Sequence, residues 1–155
     1  MGITVKKFLQ QFEVANTELD TLLEEHDRIV SRLMSMTQSY DGDGGGGSRS
    51  PDPMGDGVAA LVDLCGRIDA KAKRYIAVRD SVRSVVRAVM RANITMGQSL
   101  HYRYIDCDKA ATVAYRMGYD ERQERRIHQA ALRAAAEAME GMGMTGEWLE
   151  KNVFF

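Results

Sequence analysis

The sequence predicts an all-α protein, and three observations support this prediction. The chain of 155 residues holds only two prolines, the residue that most strongly breaks helices. Two long stretches repeat apolar residues at alternating steps of four and three, the spacing of a helical coiled coil. Near the C-terminus a single glycine, Gly118, separates two shorter helical patterns. We therefore expect a long antiparallel helical hairpin of coiled-coil type, followed by a C-terminal three-helix module.

The first predicted helix occupies residues 1–40, with Thr4 as its N-terminal cap and its end at Tyr40. Its apolar positions form one stripe over about four heptads, which is typical of a coiled-coil seam. His26 takes the one polar position in that stripe. The apolar residues of the stripe are Phe8, Phe12, Ala15, Leu19, Leu22, Ile29, Leu33 and Met36.

Residues 41–57, DGDGGGGSRSPDPMGDG, are interpreted as a flexible linker. Glycine has the greatest conformational freedom to lose, and Pro51 and Pro53 oppose a helix. A phosphate-binding glycine loop is the alternative, but no strand precedes the segment and no Gly-Lys-Ser or Gly-Lys-Thr ends it. A linker of this length lets the next helix fold back on the first.

A second long helix is predicted over residues 58–92, with Lys71 as the one polar residue in its seam. The seam consists of Leu61, Leu64, Ile68, Tyr75, Val78, Val82, Val85 and Val89. Residues 66–91 hold eight basic and two acidic residues, whereas residues 1–43 hold four basic and eight acidic residues. We favour pairing between these two segments, and the alternative is that the basic helix extends a nucleic-acid-binding surface.

The C-terminal module is predicted over residues 93–140. Asn93 and Thr95 mark the break after the second helix, and a third helix, about 96–105, is expected to bury Leu100 and Tyr104. The tail, residues 141–155, is interrupted by glycines. Its apolar residues are expected to dock as a short helix on the body or on a partner, and they are Trp148, Leu149, Val153, Phe154 and Phe155.

Two capped helices are expected to meet at Gly118. Asp108 is the predicted cap of a supporting helix that spans residues 109–117, and Asp120 is the predicted cap of the helix that follows. Ala114 permits a close crossing, and glycine permits the left-handed turn that such a crossing needs. This order of residues is typical of a helix-turn-helix that binds DNA, with a recognition helix from about Glu121 to Ala135.

The predicted recognition helix presents several arginines and glutamines on its outer face. Arginine matches guanine edges and phosphates with a planar fork of donors. Near the helix start, Arg122, Gln123 and Arg126 are the candidates for base contacts. The candidates for phosphate contacts are Arg125, Gln129 and Arg133, with Lys109 at the start of the supporting helix. The alternative is that these side chains only form a solvated surface.

The segment RYIDCDKAATVAYRMGYDERQERRIHQAALRA, residues 103–134, resembles the region-four helix-turn-helix of bacterial sigma factors. It is more similar still to phage and prophage late-transcription regulators of the RinA/ArpU kind, and this resemblance extends over residues 58–139. The shared features are the Arg103-Tyr104 pair, Ala114, and His128 followed by Ala131-Leu132. The resemblance implies sequence-specific binding to double-stranded DNA, in the cytoplasm of a bacterial host cell. It also implies a hairpin that forms a homodimer or contacts RNA polymerase.

The chain departs from the pattern of that family at three places. The supporting helix begins Asp108-Lys109-Ala110-Ala111 rather than with an acidic-rich run, and Asp120 replaces the usual serine cap. Glu124 stands where an apolar residue is expected. Its carboxylate either pairs with Arg125 or another nearby arginine, or the recognition helix is rotated.

No pattern in the sequence predicts an enzyme, a metal site or a cofactor. Cys65 and Cys107 form no CxxC pair, and two cysteines do not make a disulfide framework. His26, His101 and His128 lack the spacing of metal ligands and of catalytic sets. We also expect no signal peptide and no membrane span.

The same sequence features are compatible with two other functions. The first is a phage assembly or packaging protein, such as a small terminase subunit, whose hairpin builds a ring. The second is a helical adaptor that does not bind DNA.

Overall fold

A computed structural model describes residues 4–40, 53–144 and 146–152, and within these ranges the chain forms helices and no strands. The predicted all-α class is confirmed. The α-helices are α1 Val5–Tyr40, α2 Pro53–Ala92, α3 Ile94–Leu100, α4 Ala110–Met117, α5 Glu121–Gly141 and α6 Gly146–Asn152, and a π-helical segment, His101–Ile105, continues α3. None of the described helices combines the length and the apolar character that crossing a lipid bilayer demands.

Helix α1 begins where the sequence predicts. The Thr4 hydroxyl accepts a hydrogen bond of 3.3 Å from the Lys7 amide, which satisfies one of the amides left open at a helix start. Leu33 is half-buried, and the side chain of Met36 lies outside the described residues. The other apolar residues of the predicted stripe are buried, namely Phe8, Phe12, Ala15, Leu19, Leu22 and Ile29.

Helix α2 begins at Pro53 rather than after residue 57, so the end of the predicted linker is wrong. Proline lacks an amide hydrogen, but the first residues of a helix have no partner for theirs. Pro53 therefore starts the helix instead of preventing it. The remainder of the predicted linker, residues 41–52, lies outside the described residues.

The seam of α2 is formed largely as predicted, with one error. Ile68, Val78, Val82, Val85 and Val89 are buried. Lys71, however, is exposed, and the next residue, Ala72, packs against the apolar cluster in its place. A step of four from Ile68 reaches Ala72, so the helix avoids burying a charged amine.

The chain divides into two compact units, and both α1 and α2 run through each of them. One unit comprises residues 1–16 and 76–155, and the other comprises residues 17–75. The core of the first combines residues of α1, α2, α3, α5 and α6 around Phe8, Val86, Leu100, Ala135 and Leu149. The core of the second is smaller and has Leu22, Ile29 and Ile68 as its buried residues.

Helices α2 and α3 approach each other at a glycine. A β-carbon on Gly97 would lie 2.4 Å from both Cα and Cβ of Met90, closer than carbon atoms can pack. The helix start itself is capped, because the Asn93 side chain accepts a hydrogen bond from the Met96 amide at 3.1 Å. The predicted break at Asn93 is therefore confirmed, and Leu100 and Tyr104 are buried as expected.

The tail docks on the body of the first unit. The Trp148 ring meets the Phe8 ring edge-on, with centroids 6.2 Å apart, and Leu149 is buried in the same core. The sequence predicts that the tail docks on the body of the chain or on a partner, and these contacts support docking on the body. The remaining predicted residues, 153–155, lie outside the described part of the chain.

Gly97→Ala is expected to lower the free energy of unfolding by about 1–3 kcal/mol, because the new methyl group collides with the backbone of α2. Gly66→Ala is the matched control, since no atom lies within 4 Å of the added carbon. The control should be neutral or stabilising by up to about 1 kcal/mol, the helix preference for alanine. Urea denaturation followed by circular dichroism measures both values, and equal stabilities would contradict the close approach.

Candidate nucleic-acid interface

A left-handed glycine ends α4 and redirects the chain into α5. Gly118 has φ of 73°, the conformation that the sequence predicts for it. The Tyr119 amide donates to the Ala114 carbonyl at 3.0 Å, and the Gly118 amide donates to the Tyr115 carbonyl at 3.1 Å. These two bonds form a Schellman motif, which satisfies carbonyl groups left open at a helix end.

The N-terminus of α5 is capped by Asp120, as predicted. Its Oδ1 atom accepts a hydrogen bond of 2.7 Å from the Gln123 amide. Acidic residues in the first turn also match the positive end of the helix dipole. The helix continues to Gly141, beyond the predicted end at Ala135, because the additional turn is rich in strong helix formers.

The predicted cap of α4 is wrong. Lys109 occupies the capping position and provides no side-chain hydrogen bond. The carboxylate of Asp108 instead accepts from Arg116 in the last turn of α4, and Asp106 accepts from the same guanidinium at 3.0 Å. The Arg116 guanidinium also lies 3.9 Å from the centre of the Tyr102 ring. A charged donor outcompetes a backbone amide for a carboxylate, so Asp108 ties the turn to α4 rather than capping it.

Helix α5 has a buried face and an exposed cationic stripe opposite to it. The buried face consists of Glu124, His128, Ala131, Ala135 and Met139. The exposed stripe consists of Arg122, Arg126, Gln129 and Arg133. These four residues are spaced by four, three and four positions, which places them on one line along a helix.

All seven predicted contact residues are exposed. Arg125 and Gln123 lie on the two flanks of the stripe, and Lys109 lies at the start of α4. Within the described residues, no hydrogen bond or ion pair engages these seven side chains. Up to Arg133, the exposed side chains of α5 include four arginines and a single acid, Glu121, so this part of the surface is cationic.

Glu124 anchors α5 from its buried face. Its side chain is 0% exposed. Oε1 accepts 2.9 Å and 3.1 Å hydrogen bonds from Arg103 Nε and Ser99 Oγ, and Oε2 accepts from the second guanidinium nitrogen. Of the two expectations for Glu124, pairing with a nearby arginine is confirmed, with Arg103 and not Arg125 as the partner. The carboxylate points inward while the stripe stays outside.

A second buried polar pair lies beside this anchor. The Tyr104 hydroxyl and His128 Nε2 are 2.8 Å apart, and their rings stack with centroids 5.7 Å apart. Burial raises the pKa of Tyr104 to about 12. Burial, assisted by the Arg103 charge, lowers the pKa of His128 to about 4. At neutral pH the pair therefore consists of an uncharged phenol and an uncharged imidazole that share one hydrogen bond.

Metal ligation and thiol chemistry find little support among the described residues. No group of three or more His, Cys, Asp or Glu side chains gathers there into a metal site. Cys65 and Cys107 are both free thiols. Burial raises the pKa of Cys107, and Glu13, Asp106 and Asp108 raise it further, so this thiol is protonated and weakly nucleophilic near pH 7.

The sequence alone did not identify the partners that hold α5 in place. Ser99 and Arg103 lie more than twenty positions before Glu124, and no helical period links them to it. The available signal was the Arg103-Tyr104 pair of the family resemblance, together with the carboxylate at an apolar position. A buried carboxylate needs a charged partner, and Arg103 follows the buried Leu100 by three positions, which places it near the core.

Comparison with known proteins yields no match, because no family model fits the chain and neither a curated protein nor a solved structure is similar to it.

Arg103→Ala is expected to lower the free energy of unfolding by about 3–5 kcal/mol, because it leaves a buried carboxylate without its charge partner. Arg125→Ala removes an exposed arginine next to Glu124 and should stay within about 0.5 kcal/mol of the parent. A double variant, Arg103→Met with Glu124→Leu, should recover most of the loss. Urea denaturation measures all three, and equal losses for the two single variants would refute the anchor.

The pKa of His128 predicts a loss of stability in acid. Its pKa in the folded chain, about 4, lies below the ordinary 6.5, so the unfolded chain takes up a proton first as the pH falls. The contribution is present above pH 6.5 and is lost between pH 6.5 and 4. His128→Gln removes the titrating imidazole and leaves the neighbouring Arg103, Glu124 and Lys6 in place. It should therefore flatten the dependence of the free energy of unfolding on pH in that window. An unchanged slope in urea titrations would contradict this.

Proposed function

We propose that this protein binds double-stranded DNA sequence-specifically and regulates transcription. The proposed structure is an antiparallel helical hairpin joined to a helix-turn-helix, in which α4 is the supporting helix and α5 the recognition helix. The start of α5 enters the major groove, and the hairpin mediates self-association or contact with RNA polymerase. The resemblance to phage and prophage regulators of the RinA/ArpU kind suggests the biological setting.

The observation that carries this proposal is the exposed stripe at the start of a capped helix that follows a left-handed turn. A recognition helix contacts bases through residues of its first turns. Arg122 and Arg126 stand in those turns and face away from the core. Their guanidinium groups are exposed at the end of the helix that would enter the groove. This placement is a more specific indication of DNA binding than a generally basic surface.

The packing of α4 and α5 supports the helix-turn-helix arrangement. Val113 and Ala114 are buried on α4, and α5 packs against both α3 and α4. Three residues, 118–120, separate the two helices, as in the short turns of known DNA-binding motifs. The small side chain of Ala114 lets the helices approach closely.

The hairpin is supported by the composition of the two cores. The start of α1 shares a core with the end of α2, through Phe8, Phe12, Val85 and Val89. The later part of α1 shares a core with the earlier part of α2, through residues that include Leu22 and Ile68. Two helices paired in this order run in opposite directions.

The stripe refines the roles that the sequence suggests. Gln129 lies on the same line as Arg122 and Arg126 and one turn nearer to the start of α5 than Arg133, so we place it with the base-contacting residues. Gln123 and Arg125 lie on the flanks, where the walls of the groove carry phosphates. Arg133 and Lys109 retain their predicted phosphate contacts.

Selection from a pool of random-sequence duplexes tests the proposal. The full chain should enrich one motif that competes with unrelated duplex DNA at about 150 mM salt. Binding without enrichment would favour incidental contact, as in a packaging protein that assembles into a ring. Absence of binding at this salt concentration would refute the proposal and leave the helical adaptor.

Two substitutions separate base reading from phosphate contact. Arg126→Ala should lose about 1–3 kcal/mol of binding free energy and relax the preference at one base position. Arg133→Ala should weaken binding to all sequences evenly and reduce the slope of log affinity against log salt by about one. Arg32→Ala removes an exposed arginine of the other unit and is the matched control. Fluorescence anisotropy with the selected duplex measures each, and identical behaviour of the first two would refute these roles.

A further inference from the structure

The unit formed by residues 17–75 exposes large apolar side chains on both of its helices. Val30 on α1 and Val58 on α2 are 38% and 40% exposed, and Leu23 and Val62 reach 60% and 64%. We call these four residues the side face. Single exposed apolar residues are common on protein surfaces, but apolar residues that gather on one side mark an interaction site.

The side face has a fixed relation to the buried seam. Leu23 directly follows the seam residue Leu22, and Val30 directly follows Ile29. Val62 follows Leu61 in the same way. Each residue advances about 100° around a helix, so these side chains lie on the same flank of the seam in both helices.

The other flank of the seam is polar. The residues that directly precede Leu22, Ile29 and Ile68 are Thr21, Arg28 and Arg67, and all three are exposed. At these three positions the flank that precedes the seam carries exposed polar side chains instead of apolar ones. Two helices with both flanks in water need no apolar side chains on either flank. The difference between the flanks therefore indicates a contact on the apolar one.

Antiparallel pairing brings the two apolar flanks together. When two right-handed helices run in opposite directions, the flanks that follow their seams point to the same side of the pair. This step rests on the hairpin of the proposed function. The pair then has one polar side and one side that carries all four residues of the side face.

The core of this unit is small for its length. Among its described residues, the buried members of the core cluster are Leu22, Ile29 and Ile68, and the other residues that pack against this cluster are only partly buried. A layer of two helices closes its core when a second layer packs on it, as in a four-helix bundle. The side face is where that second layer would pack.

We propose that the side face is the interface through which two copies of this chain form a dimer. A second copy supplies an identical apolar side, so that the two hairpins complete a four-helix bundle. A two-fold axis makes the same patch meet itself on both subunits.

Charge selects one arrangement of the two copies. Over residues 17–40, α1 carries five acidic and two basic residues, whereas over residues 53–75 α2 carries three acidic and four basic residues. Asp20 and Asp27 border the side face on α1, whereas one acid and one base, Asp69 and Lys73, border it on α2. With the two-fold axis parallel to the helices, α1 lies opposite α2 of the second copy, and the acidic border of α1 meets a border of balanced charge on a helix that is basic overall. With the axis across the helices, α1 would face α1 and the charges would repel.

Sedimentation equilibrium of the full chain without DNA tests the interface. The parent should have twice the mass of the 17.3 kDa chain at micromolar concentrations. Leu23→Glu combined with Val62→Glu should weaken dimerisation at least about tenfold, because each charge enters the buried interface twice. Thr21→Glu combined with Arg67→Glu places the same residue type on the polar flank and should leave the dimer intact. Circular dichroism confirms that all variants remain helical.

Three results would overturn the proposal. The first is a monomeric parent at about 100 μM, a concentration at which even weak specific dimers assemble. The second is a dimer that the side-face variant and the polar-flank variant affect equally. The third is a ring of many subunits. DNA affinity is measured separately with a single half-site, so a monomer that still selects one motif refutes the dimer alone. A dimer that selects no motif refutes the proposed function alone.

Discussion

The buried ion pair between Arg103 and Glu124 is the contact on which the orientation of α5 depends. It joins the π-helical segment to the first turns of α5, where apolar packing alone would allow the helix to turn about its axis. A two-pronged guanidinium contact permits one rotation of the carboxylate, and the Ser99 hydroxyl donates to the same oxygen as Arg103 Nε. The cationic stripe lies on the opposite side of the same helix, so the contact that holds Glu124 inside also keeps the stripe directed outward.

Those features of the fold that follow from helical period and local hydrogen bonding could be predicted from the sequence. The seam of α1, the caps Thr4, Asn93 and Asp120, and the left-handed Gly118 depend on residues a few positions apart. The exposure of the arginines on α5 also follows from period, once the helix start is known. In these interactions, residues that are close in space are also close in sequence.

The remainder depends on contacts between residues distant in sequence. Asp108 has two possible donors, a nearby amide and the Arg116 guanidinium, and only the path of the chain decides between them. The burial of Glu124 is likewise explained by Arg103 and Ser99, which approach it because α3 and its π-helical extension pack on α5. Lys71 and Ala72 differ by one position, and the packing of Ala72 against the apolar cluster decides which of them faces the core.

Helix α5 is a single uninterrupted element of 21 residues, about 31 Å long. Its first half bears the exposed stripe, and its second half places Ala135 and Met139 in the core that α1, α2 and α6 share. No glycine or proline interrupts it between Glu121 and Glu140, so there is no joint at which the first half can bend independently. A DNA-binding surface built in this way would adapt poorly to imperfect sites. Deformation of the duplex would then add to the discrimination that base contacts provide, and flexible base steps would be favoured even where no side chain touches them.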